Sequence, residues 1–307
     1  MGGPRQHTIP NFYLKEFLNS GIVYRRGVKS PRFVKKPNNV AVRINYYGES
    51  SGNLDILDQM NSAIEGWAAP VLKRLVYDVT SITYSDWVTL SYYFANIHVR
   101  TPAFQDGMVA TFKEFAKKVN KMAEDMKKAY EKAEAEGRDL SIFKSPSFDD
   151  SPRQSLNEFN TLIEKLEQRE GRLANMLSFY HLIKDIAGCI QKMSYHIFEA
   201  SVGLFFITTD RPLVLFSLIS GSTLGAGWVN KDAVAAMALD PKHLLVICYR
   251  GEPAIYDKVL STKDVQFWNI ELMKYAAYEV YSKFPYDIAL DWMLRRGIWG
   301  KVRRGNL

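Results

Sequence analysis

Residues 233–249 read Ala-Val-Ala-Ala-Met-Ala-Leu-Asp-Pro-Lys-His-Leu-Leu-Val-Ile-Cys-Tyr, two short apolar runs with a turn signal between them. Runs of this length, apolar at both alternating positions, are the pattern of buried strands. Gly203 to Thr208 and Leu213 to Phe216 read the same way, so the C-terminal third predicts a mostly antiparallel sheet. After it, Thr262 or Asp264 caps an amphipathic helix through Phe267, Ile270, Met273, Ala277 and Val280. A further short helix is expected after Pro285.

Toward the N-terminus the period changes. Gly21 to Arg25 and Asn39 to Ile44 carry β-branched alternation and predict short strands. Asn53 or Asp55 caps a helix whose stripe runs Leu57, Met60, Ile64, Trp67, Val71 and Leu75. Ser85 begins a second, with Trp87, Leu90, Phe94 and Ile97 inward, and Thr101-Pro102 ends it. From Phe104 to Arg138 the composition shifts to Lys, Glu and Ala around a thin apolar seam. Three pairs, Glu114 with Lys118, Glu124 with Lys128 and Glu134 with Arg138, have the favourable i,i+4 order. Residues 137–152 form a linker or loop tip, and a second long helix is expected from about Gln154 to Ala200. The expected fold is α+β: one domain over residues 1–307, mainly helical, with residues 104–200 inserted as a long antiparallel helical hairpin. Its narrow seam suits a homodimer contact.

The 307 residues are 47% hydrophobic, enough for a core, and carry a formal charge of +7. That excess favours polyanion partners. The only two cysteines, Cys189 and Cys248, lie in apolar contexts without metal-ligand spacing. No secretory leader or membrane-length apolar stretch is read, so the expected home is a reducing cytoplasm, with no membrane partner.

The chain opens with a second informative stretch, Gln6-His-Thr-Ile-Pro-Asn-Phe-Tyr-Leu-Lys-Glu-Phe17. Further along come Asn61-Ser-Ala-Ile-Glu65, Arg100-Thr-Pro102 and Phe206-Ile-Thr-Thr-Asp-Arg-Pro-Leu213. In this order they resemble a bacterial family catalogued as domain of unknown function four-two-three-eight. Ala238-Leu-Asp-Pro241, and Asn269 with Ala277 to Ser282 as a closing helix, resemble its later segments. Ala238, Asp240 and Tyr278 depart from its pattern. The resemblance implies no activity.

The common strong motifs for nucleotide binding, serine hydrolysis, zinc proteolysis and protein phosphorylation are absent from the sequence. Isolated polar residues in the boxes remain. His7 is a candidate general base or metal ligand, or else a buttress of the first turn. Glu65 and Arg100 are a candidate carboxylate and phosphate binder, or a structural ion pair. Asp210 stands at a strand's C-terminal edge, where sites are often built, or makes a turn before proline. Arg25, Arg26, Lys35 and Lys36 lie in a basic segment suited to phosphate contact, or to a solvated hairpin. Basic residues from Arg295 to Arg304, beside Trp292 and Trp299, add stacking potential. His196-Ile-Phe-Glu199 places two polar groups three apart on the expected helix, a spacing that can hold a metal.

Two functions fit. In the first, His7, Glu65 and Asp210 converge as the catalytic groups of a hydrolase or nuclease, using a divalent metal and acting on nucleic acid or another phosphate-bearing substrate; phage defence would be a fitting role by analogy. In the second, the chain is a non-catalytic nucleic-acid- or protein-binding regulatory module. Convergence of the boxes on one cleft separates them.

Overall fold

The computed structural model describes residues 5–27, 32–44, 54–137, 182–217, 219, 227–249 and 258–284. Two compact units divide the chain, Met1–Ala103 with Leu177–Leu307, and Phe104–Met176.

In the first unit the elements run β1 (Arg5–His7), α1 (Asn11–Lys15), β2 (Val23–Gly27), β3 (Arg32–Lys35), β4 (Val42–Ile44), α2 (Leu54–Tyr77) and α3 (Tyr84–Arg100). After the second unit come helical residues 182–190, β5 (Ser194–Ala200), β6 (Thr208–Thr209), β7 (Val214–Ser217), β8 (Ala233–Ala238), β9 (His243–Cys248), β10 (Lys258–Leu260), α5 (Thr262–Lys274) and β11 (Glu279–Ser282). The class is α+β, as expected. In place of one sheet, however, the described strands form three: β1-β4, β10-β5-β9-β8-β7 and β3-β2-β11-β6. Among the described strands only β5 and β10 pair in parallel.

The two apolar runs within residues 233–249 become β8 and β9, paired antiparallel with Ala238 opposite Leu244. Every residue of β8 is buried, because this strand lies inside the five-stranded sheet with both faces covered. Four of its six side chains are alanine methyls, which permit close approach of whatever covers them. Helix α3 is buried in the same way over its last two turns, where all residues from Tyr93 to Arg100 are inside. A helix enclosed all round carries its polar groups into the core, so Asn96, His98 and Arg100 have little access to water. A capping box between Thr83 and Asp86 starts it, and the Thr101-Pro102 step stops it where expected.

The opening box is a clamp. Ile9, Leu14 and Phe17 are fully buried, and Tyr13 sends its hydroxyl into the core. There it donates to the Ala238 carbonyl at 2.6 Å and contacts the Thr208 hydroxyl at 2.6 Å. One phenol thus fastens the first box to β6 and to the end of β8. Tyr13→Phe removes both bonds and leaves two buried polar groups, so it is expected to cost about 2–3 kcal/mol, read as a lower urea midpoint.

Three expected elements are corrected. The return helix does not reach Ala200: residues 182–190 are helical, but Ser194–Ala200 is a strand paired with β9. Residues 138–181 lie outside the described residues, so of the hairpin the structure describes α4 (Pro102–Ala135) and this last stretch. Helix α5 ends at Lys274, and Glu279–Ser282 joins β2 as a strand, so the closing helix expected over Ala277 to Ser282 is replaced by a turn and β11. Its N-cap is Ser261, in a capping box with Asp264. Residues 203–207 form a loop whose backbone is held by a side chain: the Asn269 carboxamide accepts from Ile207 N and donates to Phe205 O, both at 3.0 Å. The helix expected after Pro285 lies outside the described residues.

In the second unit, Gly137 with φ +62° terminates the described helical run, the left-handed residue that commonly ends a helix. Glu114 pairs with Lys117 at 2.8 Å, one residue earlier than the i,i+4 partner expected. Both cysteines are free, and among the described residues no helix is long and apolar enough to cross a membrane.

Candidate functional site

Arg100 ends α3 with a guanidinium only 4% exposed. A buried guanidinium needs acceptors on several sides, and two other elements supply them. Nη1 donates to Glu65 Oε1 on α2 at 2.5 Å, and Nη2 donates to the His7 backbone carbonyl in β1 at 2.7 Å. Three boxes distant in sequence therefore meet at one side chain. His7 enters this contact through its carbonyl, while its imidazole is half-buried. Tyr93 and Asn96, fully buried, lie on the same face of α3 as Arg100 at helical spacing. The Tyr93 phenol is pushed well above its usual range by burial, then by Tyr13 and Glu65.

Asp210 is placed by different partners. Its Oδ1 accepts from Ala277 N at 2.9 Å and its Oδ2 from Tyr278 N at 2.7 Å, while its own N–H donates to the Glu279 carbonyl at 3.0 Å. The carboxylate thus catches the backbone between α5 and β11 and steers it into the sheet. The turn before Pro212 is made by Thr209, whose hydroxyl accepts from Arg211 N and donates to Arg211 O. Burial pushes the Asp210 carboxyl up to about 6, although three backbone hydrogen bonds pull the other way. Beside it, the half-buried Arg211 acts through its charge on both Asp210 and His98. His98 is driven down to about 3, by burial first and then by Arg211. Its ring meets Trp228 edge-on at 5.4 Å.

The basic segment is partly absorbed by the fold. Arg25 forms an ion pair with Glu279 across the β2–β11 pairing, which the Tyr281 hydroxyl completes by donating to the same carboxylate at 2.6 Å. Arg43 lies over the Tyr278 ring, 5.0 Å from its centroid, a cation–π contact. Lys36 is exposed. The side chains of Arg26 and Lys35, and the basic C-terminal residues, lie outside the described residues. The expected metal spacing at His196 and Glu199 fails for a geometric reason: on a strand, residues three apart face opposite sides. Among the described residues no cluster of His, Cys, Asp or Glu could hold a metal ion.

A cleft opens elsewhere in the first unit. One wall is a face of α2, with Ala69, Leu72, Lys73 and Val76 at helical spacing and Tyr77 beyond them; the other is α1 and its C-cap, with Phe12 and Glu16. Leu239 and Asp240, from the β8–β9 turn, close one end. In that turn Asp240 Oδ1 accepts from Lys242 N at 2.5 Å and His243 N at 2.8 Å, and Oδ2 lies 2.8 Å from His243 Nδ1. This carboxylate–imidazole pair was not legible as a constellation. Its signal was the three-residue spacing across Pro241, which a tight turn converts into contact.

No curated protein and no solved structure matches the chain. A family model described as a protein of unknown function, DUF4238, matches residues 5–284, a span that includes every box placed above, and the chain belongs to that family.

Proposed function

We propose that the protein is a non-catalytic binding module whose sequence boxes build the fold, leaving recognition to its surface. The observation that carries this reading is the engagement of Arg100 by Glu65 and the His7 carbonyl, with Asp210 committed to two backbone amides. A general acid, base or metal ligand needs a lone pair or proton aimed at substrate, whereas Glu65 Oε1 faces Arg100 and both Asp210 oxygens face backbone amides. The direct test incubates the full chain with mixed DNA and RNA in magnesium or manganese. The expected result is no cleavage. Metal-dependent cleavage that disappears in folded Glu65→Gln or Asp210→Asn would overturn the reading.

A hydrolase acting on nucleic acid is the second reading. One observation favours it: a buried carboxyl titrating at about 6 is poised for acid–base work near neutral pH, and perturbed groups of this kind concentrate at functional sites. The same cleavage assay decides between the two.

A further inference from the structure

The α1–α2 cleft carries an unusual combination of chemistry. Its walls are apolar and aromatic, with Leu72 and Leu239 buried and the Tyr77 ring 79% exposed at the lip. Its rim holds two carboxylates, Glu16 and Asp240, whose charges act on one another. Asp240 is held by the β8–β9 turn and by His243, so its negative charge is fixed in place. Glu16 is different: among the described residues its side chain makes no hydrogen bond or ion pair. Partial burial, and after it the neighbouring Asp240, push its carboxyl above the usual range; Lys73 and Lys283 offset this without closing onto it.

We propose that this cleft binds an organic ammonium ion carried on an apolar body. Phe12, Leu72, Val76 and Leu239 enclose the body, and Glu16 receives the cation beside the fixed charge of Asp240 and the face of Tyr77. Carboxylates and aromatic rings both attract ammonium groups, and neither attracts anions. Lys73, on the α2 wall, is the charge that the ligand's ammonium competes with for Glu16. The proposal rests on reading the protein as a binding module, and it adds the ligand class.

The test is an NMR titration of the full chain with 2-phenylethylammonium, following backbone amides of Glu16, Val76 and Leu239. Parallel titrations use 2-phenylethanol, which lacks the charge, and 3-phenylpropanoate, which reverses it. The expected result is saturable shifts with the ammonium, about tenfold weaker binding of the alcohol and weaker still of the carboxylate. Glu16→Gln is expected to weaken the ammonium by about tenfold, and Lys73→Met to tighten it. The sign of the Lys73 effect separates a cation site from an anion site, since an anionic ligand would lose affinity in that variant. Equal binding of the alcohol, preference for the carboxylate, or no saturable shift up to about 10 mM, which caps any affinity near 3 kcal/mol, overturns the proposal. Absence of shifts together with absence of nucleic-acid cleavage removes the ligand class and leaves the binding-module reading intact. Cleavage together with ammonium binding removes that reading and leaves the cleft.

Discussion

Arg100→Ala is expected to lower the unfolding free energy by about 3–5 kcal/mol in urea titrations, the largest single loss available in the boxes. The substitution leaves the Glu65 carboxylate without its cation and the His7 carbonyl without its donor. The size of the loss comes from those abandoned partners more than from the attraction of the pair, because removing one member of a buried ion pair strands the other. Arg100→Met with Glu65→Leu, which removes both charges and keeps the volume, is expected to recover much of the loss. Glu65 retains 21% of its side-chain exposure, so Glu65→Gln alone is expected to cost less, about 1–2 kcal/mol.

The second large effect is a pH dependence made of two opposed parts. Unfolded, His98 takes a proton near its ordinary 6.5; folded, it resists until about 3. Between those values the unfolded state binds more protons, so the contribution of His98 is complete above 6.5 and is lost as pH falls toward 3. Asp210 runs the other way. Its folded carboxyl titrates at about 6 against an ordinary 3.8, so from 6 down to about 4 the folded state binds more protons and stability rises. The two slopes nearly cancel between pH 6 and 4, and these groups leave the wild-type profile flat there. Each variant exposes the slope of the other group. Asp210→Asn is expected to lose about 2–3 kcal/mol of stability on going from pH 6 to 4, and His98→Gln to gain a similar amount. Urea midpoints at half-unit pH intervals read both; parallel profiles in the two variants would contradict this assignment.

Helices α2 and α3 were legible because their apolar residues repeat at a helical period, strands β8 and β9 because they are short continuous apolar runs, and Thr101-Pro102 and Asp240-Pro241 punctuate them. The pairing of Glu65 with Arg100 was legible as one of two readings, since a carboxylate beside Ile64 and Trp67 asks for a cation. The strand at Ser194–Ala200 was not. Ile190, Met193 and Ile197 fit a helix as well as Tyr195 and Ile197 fit a strand, and pairing with β9 decided between them. At the C-terminal end, Ala277 and Val280 continue the stripe of α5, but Asp210, some 67 residues earlier in the chain, takes the amide of Ala277 and ends it. A long-range side-chain contact of this kind leaves no local signal. The cleft was illegible for the same reason, since its walls come from the opening box, α2 and the β8–β9 turn, which are far apart in the sequence.

The central claim is that the boxes meet as architecture, and a double-mutant cycle between Arg100 and Glu65 tests it most directly. The four proteins are wild type, Arg100→Met, Glu65→Leu and the double variant, unfolded in urea beside the nucleic-acid cleavage assay. The account predicts a coupling energy of about 2–3 kcal/mol with no cleavage by any of the four. A coupling below about 0.5 kcal/mol, within the scatter of independent sites, together with cleavage by wild type that both single variants lose, would contradict it.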